Sequence, residues 1–470
     1  MMKPFSSVAI PHNDILEGRL TEDVFAADLW AVFKGRGAKD YMDPSTFFRK
    51  TYLTEGMKNL LNVAESRLKG LGGDPIIQLQ TPFGGGKTHS LIALYYKAKE
   101  WGANVVVIDG LALDPRERTI WGEIEYQLTG KIEVFKDQIP PGIEKLGTLL
   151  EQYQPLVILM DEILPYVTKA AGVKVGDSNL ASQVLSFMHT LTRVVSTLER
   201  CFVVLTLPSS LLEHYDESAE KLFQQLQKIV GRVEKVYAPV KDEEVSAIVR
   251  KRLFSNIDEK EAEVIIEEFL DYAEKEGILP KGLERSEYKE RFLKSYPFQP
   301  EVIDVLYTRW GSFPSFQRTR GALRLLSLMV YSLRKSRSSF IRLGDFDLSN
   351  DDIRWELIKH IGTQYSSVIA ADITGSGAGA KKVDKNLGKA HMAYNFGTKV
   401  ATTIFLYSFS GGVEKGATLS DIKLSCSEVG VPSSIVVEAL SKLKDELFYL
   451  QSDGKLFFSD QPNLNRIVLT

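Results

Sequence analysis

The sequence is poor in everything that builds a covalent or metal scaffold. It has two cysteines, Cys201 and Cys426, in 470 residues, and they form no CxxC pair. That excludes a disulfide framework and a thiolate zinc site, and it fits a reducing compartment. The six histidines (His12, His89, His189, His214, His360, His391) fall at no metal-ligand spacing. No uninterrupted apolar run reaches the ~18 residues a membrane helix needs. The opening stretch "MMKPFSSVAIPHND" lacks the long apolar core of a secretory leader. A cytoplasmic protein without a membrane partner is therefore expected. Charge of one sign is also missing: the net charge is −3. Any charged partner must be met by a local patch, not by the chain as a whole. No repeat of fixed period occurs.

What is present is ordinary globular composition, 44% apolar and 25% charged, over a length that suits about three domains. The most informative stretch is "TPFGGGKTHS" at 81–90. A phosphate-binding loop reads G-x-x-x-x-G-K-[ST]. Gly86, Lys87 and Thr88 fill its last three places, whereas Thr81 stands where the first glycine belongs. The surroundings suit the motif. "PIIQLQ" (75–80) reads as a buried strand, and Leu91, Leu94, Tyr95 and Ala98 form one face of a following helix. Gly84, Gly85 and Gly86 can turn successive N–H groups toward phosphate oxygens. Lys87 is expected at the β- and γ-phosphates and Thr88 on Mg²⁺. His89 follows the loop and is a further candidate contact, with packing as its alternative role.

A phosphate loop needs carboxylates. In "PLVILMDEILPYV" (155–167), Leu156 to Met160 reads as a buried parallel strand. Asp161 and Glu162 follow at its C-terminal end, where ligands bind in open α/β sheets. Asp161 is expected to hold Mg²⁺ and Glu162 to act as general base. Three more strands, "NVVVIDG" (104–110), "CFVVLTLPSS" (201–210) and "RVEKVYAPV" (232–240), complete a doubly wound parallel sheet. Thr206, with Ser209 as the second choice, is expected at the γ-phosphate or the water. A second glycine-rich stretch, "TGSGAGAKK" (374–382), has no strand before it and reads as a mobile surface loop.

With these residues in place, the chain resembles an AAA+-type P-loop ATPase. More narrowly, "VFAADLWAVF" (24–33), "YMDPSTFFRKTYLTEGMKNLLNVAESRLKG" (41–70), "FGGGKTHSLIALY" (83–95), "TIWGEIEYQL" (119–128), "FQRTRGALRLL" (316–326) and "QPNLNRIV" (461–468) resemble the prokaryotic domain-of-unknown-function family 499. The resemblance spans nearly the whole chain. It implies the α/β class: an AAA+-like P-loop NTPase core with a parallel sheet, a helical lid and a C-terminal winged helix. It implies ATP and Mg²⁺ as cofactors, and a motor or switch role in a DNA-processing or antiphage defence complex, with further copies or a defence partner bound. It further implies an arginine finger at Arg232, acting on a neighbouring subunit, and lid contacts from Arg320 with Arg318 beside it.

The boundaries expected are 1–74 for a helical segment, 75–240 for the ATPase core, 241–384 for the lid and linker, and 385–470 for the winged-helix-like part. In the last, "TLSDIKLSC" and "PSSIVVEALSKLKDE" read as capped helices. "LFYLQSDGKLFFSD" reads as a hairpin around Asp453-Gly454. Residues 411–470 hold eight acids and six bases, a poor footprint for a DNA reader. The basic footprint lies between Asp304 and Asp345, which enclose eight basic residues and no acid. Its end, Arg334 to Arg342, is the expected contact for nucleic acid or an acidic protein. Two other functions remain open on the residues alone: a nucleotide-gated scaffold with little turnover, and a P-loop kinase. No guanine-reading N/T-K-x-D sequence occurs, so ATP is preferred over GTP.

Overall fold

The computed structural model describes residues 2–20, 22–81, 85–208, 217–230, 235–237, 240–412 and 414–463. The chain forms two compact units, one of Ala26–Glu244 and one of Met1–Phe25 with Val245–Thr470. The segment expected as 1–74 is thereby divided. Its first residues join the second unit because Ala9–Pro11 pairs antiparallel with Phe254–Ile257 and Phe5 is fully buried there.

The unit of residues 26–244 is a five-stranded sheet with helices on both faces. Its strands are β1 (Ile76–Thr81), β2 (Asn104–Asp109), β3 (Leu156–Asp161), β4 (Cys201–Pro208) and β5 (Lys235–Tyr237). They run parallel in the order β2-β3-β4-β1-β5. The expected parallel α/β sheet is present.

Strand β3 shows why. Residues 156–160 are apolar on both sides and fully buried, the signature of a strand covered on two faces. Ile158 and Met160 face one layer with Trp121, Phe187 and Met188. Val157 and Leu159 face the other with Leu60, Leu91 and Leu94. The first layer holds α5 (Ile120–Thr129), α6 (Ile143–Gln152), α7 (Ile163–Ala170), α8 (Leu180–Thr197) and α9 (Glu217–Val230). The second holds α1 (Leu29–Phe33), α2 (Pro44–Lys50), α3 (Glu55–Leu68) and α4 (Lys87–Glu100). Cys201 is buried in the sheet, and burial pushes its thiol up to about 12, so it is inert.

The other unit is mainly helical. Its principal helices are α10 (Glu259–Lys275), α11 (Arg285–Ser295), α12 (Thr319–Leu333), α13 (Asp351–Ile361), α14 (Gly379–Asn386), α15 (Phe396–Tyr407), α16 (Leu419–Cys426) and α17 (Ser434–Glu446). The last two are the helices expected near the C-terminus. Thr418 and Asp421 start α16 with reciprocal hydrogen bonds, Asp421 N–H to Thr418 Oγ1 at 3.2 Å and Thr418 N–H to Asp421 Oδ2 at 2.8 Å. A hairpin follows, β6 (Leu450–Asp453) and β7 (Lys455–Phe458), turning at Gly454 with φ 68°.

One expectation fails here, and another is narrowed. Residues 379–382 of the presumed surface loop open helix α14, in which Ala380, Val383 and Asp384 are buried. Its apolar positions are too few and too small to show as a stripe. The basic stretch Arg334 to Arg342 lies beyond the end of α12 at Leu333. Arg342 is 3% exposed and binds Asp345 at 3.2 Å and Glu428 at 2.7 Å. Arg334 lies over the Tyr331 ring at 3.6 Å. Held in these ion pairs, Arg342 drops out of the expected contact, whereas Lys335 and Arg337 stay exposed.

The same unit buries a carboxyl group. Glu301 accepts a hydrogen bond from Tyr288 Oη at 2.8 Å, and Tyr288 Oη in turn accepts from Gln299 Nε2 at 3.3 Å. Burial pushes Glu301 up to about 7; Asp304 adds to this, whereas the Tyr288 bond and Arg291 oppose it. The folded state therefore favours the protonated form. Its contribution is complete below the unfolded carboxyl range near pH 4.3 and is lost as pH rises toward 7, on the order of 3 kcal/mol. Urea unfolding from pH 4.5 to 7.5 should show this loss, and Glu301→Gln should flatten it.

Candidate functional site

The site is assembled where β1, β3 and β4 end. Residues 82–84, including Gly84, lie outside the described residues. Gly86 precedes α4 in a left-handed conformation, φ 81°, which suits glycine alone. Its carbonyl accepts from Ser90 N and from Ser90 Oγ, both at 2.9 Å. Helix α4 thus begins with Lys87 and Thr88 in its first turn, where unpaired N–H groups and the helix dipole favour an anion.

Asp161 is the centre of the arrangement and is 2% exposed. Thr206 Oγ1 donates to Asp161 Oδ1 at 2.6 Å. Thr88 also hydrogen-bonds the Asp161 carboxylate. Burial raises its pKa in spite of these bonds and of the positive charge on Lys87. Glu162 N–H donates to Thr206 Oγ1 at 3.0 Å. One hydroxyl on β4 therefore holds both acidic residues of β3. The expectation for Thr206 is changed by this geometry. Its only proton is committed to Asp161, so it orients that carboxylate, anchors the Glu162 main chain, and has no proton left for a phosphate or a water.

Glu162 takes a left-handed backbone, φ 50°, uncommon for a residue with a side chain. Burial pushes its carboxyl up to about 7; Asp161 and Asp109 add to this and Lys87 opposes it. Asp109 is a residue that sequence reasoning missed. It ends β2 directly beside Asp161 in the register. Its Oδ1 accepts from Leu111 N and Ala112 N, both at 2.8 Å. Burial, then Asp161, raises its pKa against those bonds. The signal was an acid closing an apolar strand, "VVVID", at the edge where ligands bind. The next residue, Gly110, is pressed on Glu162: a Cβ there would lie 2.0 Å from the Glu162 carbonyl oxygen.

Other expected residues fall elsewhere. His89 packs into the helical layer. Its ring lies 4.7 Å from Phe47 and 5.8 Å from Tyr41, and Nε2 is 3.0 Å from Thr51 Oγ1. This is the packing role, not a ligand contact. Arg232 and Ser209 lie outside the described residues. Arg318 and Arg320 belong to the other unit, at the start of α12. Arg318 has φ 41° and lies over the Tyr307 ring at 5.7 Å. Arg320 Nη1 donates to Gln317 Oε1 at 3.0 Å.

Among the described residues, no three His, Cys, Asp or Glu side chains come together as a metal centre. A buried carboxylate bonded to a hydroxyl at a helix N-terminus is instead a hard-oxygen donor pair. That suits Mg²⁺, which takes one or two protein oxygens and completes its shell with water and phosphate.

The DUF499 N-terminal domain matches residues 5–107 and 108–244, and the DUF499 second domain matches 240–421. The chain belongs to the DUF499 family. No curated protein matches this DUF499 chain in sequence. Among solved structures it is similar to Cdc6p from Pyrobaculum aerophilum, at 14% identity and TM-score 0.37, over 90% of this chain and 96% of that one. It is also similar to the Aeropyrum pernix ORC2 protein in ADPNP–ADP complexes, at 12% identity and TM-score 0.35, over 92% and 96%. AMPPCP-bound DnaA from Aquifex aeolicus matches at 14% identity and TM-score 0.30, over 87% and 92%. Likenesses this weak carry no weight beside the geometry of the site. No described helix of this DUF499 chain is long and apolar enough to cross a membrane.

The contact at Gly110 gives a direct check. Gly110→Ala must move the strand end that carries Glu162, and overpacking of this kind costs about 1–3 kcal/mol. Urea unfolding should show a loss in that range.

Proposed function

We propose that this DUF499 chain is a Mg²⁺-dependent ATPase of the AAA+ type. The observation that carries the reading is the Thr88–Asp161–Thr206–Glu162 chain of hydrogen bonds, joined to a helix that opens with a left-handed glycine, a lysine and a threonine.

In this reading the amides of Gly84, Gly85 and Gly86 and the Lys87 ammonium bind the β- and γ-phosphates. Thr88 and Asp161 hold Mg²⁺, which when bound neutralises phosphate charge. Glu162 takes a proton from the attacking water. Its raised pKa makes it a better base than a solvated glutamate. Thr206 fixes the Asp161 carboxylate and the main chain of Glu162, which holds the two acids in place before the reaction.

Arg232 is assigned, on family resemblance, as a residue acting on a neighbouring copy. The α15–α16–α17 helices with the β6–β7 hairpin are assigned as a winged-helix-like module. The motor or switch role in a DNA-processing or defence complex rests on that same resemblance. For such a role ATP would be the energy source and partner-dependent turnover the expected behaviour.

Two variants test the assignment. Lys87→Ala should lose binding of a fluorescent ATP analogue while keeping the parent melting temperature. Glu162→Gln should bind the analogue as the parent does and release phosphate about 10²–10⁴-fold more slowly. A Lys87→Ala protein that hydrolyses ATP at the parent rate would overturn the reading. Removal of Mg²⁺ with EDTA should stop phosphate release in the parent.

A further inference from the structure

Helix α14 carries a charge pattern that the nucleotide site does not use. Its inner face, Ala380, Val383 and Asp384, is buried, and its outer face carries Lys381, Lys382 and Lys385. Lys389 and His391 follow in the turn after it. The acid in this stretch, Asp384, is 4% exposed. It accepts from Thr398 N at 3.1 Å and from Thr398 Oγ1 at 2.5 Å. Its charge is thus spent inside the fold. From 385 to 413 the sequence contains no acid.

Among the described residues Lys381, Lys385 and Lys389 make no ion pair, and Lys382 has a long one, 3.8 Å to Glu446. Several other basic positions of this unit are neutralised where they stand. Arg324 binds Glu356 at 2.6 Å, Lys399 lies 3.4 Å from Asp345, and Lys455 binds Glu414 at 2.9 Å. Helix α17 mixes Lys442 and Lys444 with Glu438, Asp445 and Glu446.

Beside the lysines stands an aromatic platform. The Tyr394 ring is stacked on the buried Phe396 at 5.5 Å and 25°. It remains 37% exposed, next to Met392 at 48%. Being held from below by Phe396, the ring loses little freedom when something stacks on it. Lysines that track a backbone, with an exposed ring for an unstacked base, are the two parts of a single-strand binding surface. A duplex would meet the lysines but offer the ring no base face.

We propose that Lys381, Lys385, Lys389 and Tyr394 form a surface that binds single-stranded nucleic acid. It stands apart from the nucleotide assignment and needs no ATP.

The test uses the full chain and a fluorescein-labelled 20-nucleotide single-stranded DNA, followed by anisotropy between 50 and 200 mM salt. Replacing Lys381, Lys385 and Lys389 together by Gln should weaken binding at least tenfold. It should also flatten the log–log salt slope by about two, at roughly 0.7 per phosphate contact. Tyr394→Ala should weaken binding about tenfold at an unchanged slope, and Tyr394→Phe should restore it. Lys335→Gln with Arg337→Gln, in the exposed turn after α12, should change nothing. All variants should keep the parent melting temperature, because the altered side chains lie at the surface. The proposal is overturned if the parent shows no salt-sensitive binding, or if the triple variant binds as the parent does. Loss of binding in the Lys335/Arg337 variant instead would move the surface to that turn. Equal binding of duplex, indifferent to Tyr394→Ala, would overturn the single-strand reading. Binding only to phosphatidylserine vesicles would assign the lysines to an anionic lipid surface, and so would also overturn it.

Discussion

The buried carboxylate of Asp161 is the interaction on which the rest of the site depends. A charge taken from water is costly unless it is bonded. Here two hydroxyls, from Thr88 at the head of α4 and Thr206 at the end of β4, supply the bonds. With Asp161 itself, the bonded groups come from three separate segments of the chain. The carboxylate therefore ties the phosphate-loop helix to two strands, and any change in one is felt by the others. Glu162 is carried along, because its N–H ends on the same Thr206 hydroxyl.

This arrangement is possible because β4 lies between β1 and β3. The loop strand and the carboxylate strand are then two spacings apart, about 10 Å. The neighbouring strand end, Asp109-Gly110, closes on the other side. Its glycine allows the main chain to touch the Glu162 carbonyl, and its carboxylate adds negative charge near the base. The left-handed backbone of Glu162 is held in this clamp. Strain of this kind collects at functional sites because the surrounding structure must impose it.

Much of this was legible in the residues. Continuous apolar runs named the buried strands, and GGGKT after a strand marked the start of helix α4. Asp161 and Glu162 followed from their place at a strand end. What failed depended on side-chain partners that no linear pattern encodes. Thr206 is a strand-end hydroxyl in the sequence, and only the β3–β4 register shows that its proton goes to Asp161. Arg342 looks like a surface charge until Asp345 and Glu428 are brought to it, the latter from 86 residues away. His89 adjoins the loop in sequence, but the helical turn directs it to Phe47 and Tyr41. Helix α14 was hidden because its buried face consists of glycine, alanine and a single valine, and the burial of Asp384 could not be foreseen.

Asp161 and Thr88 are proposed as the protein's share of a Mg²⁺–nucleotide site. The direct measurement is calorimetric titration of ATP into the full chain, with Mg²⁺ and with EDTA, for the parent and for Asp161→Asn. The parent should bind ATP at least tenfold more tightly with Mg²⁺ than without it. Asp161→Asn should bind equally in both conditions, at the weaker affinity. A variant that keeps the full Mg²⁺ dependence of the parent would contradict the claim.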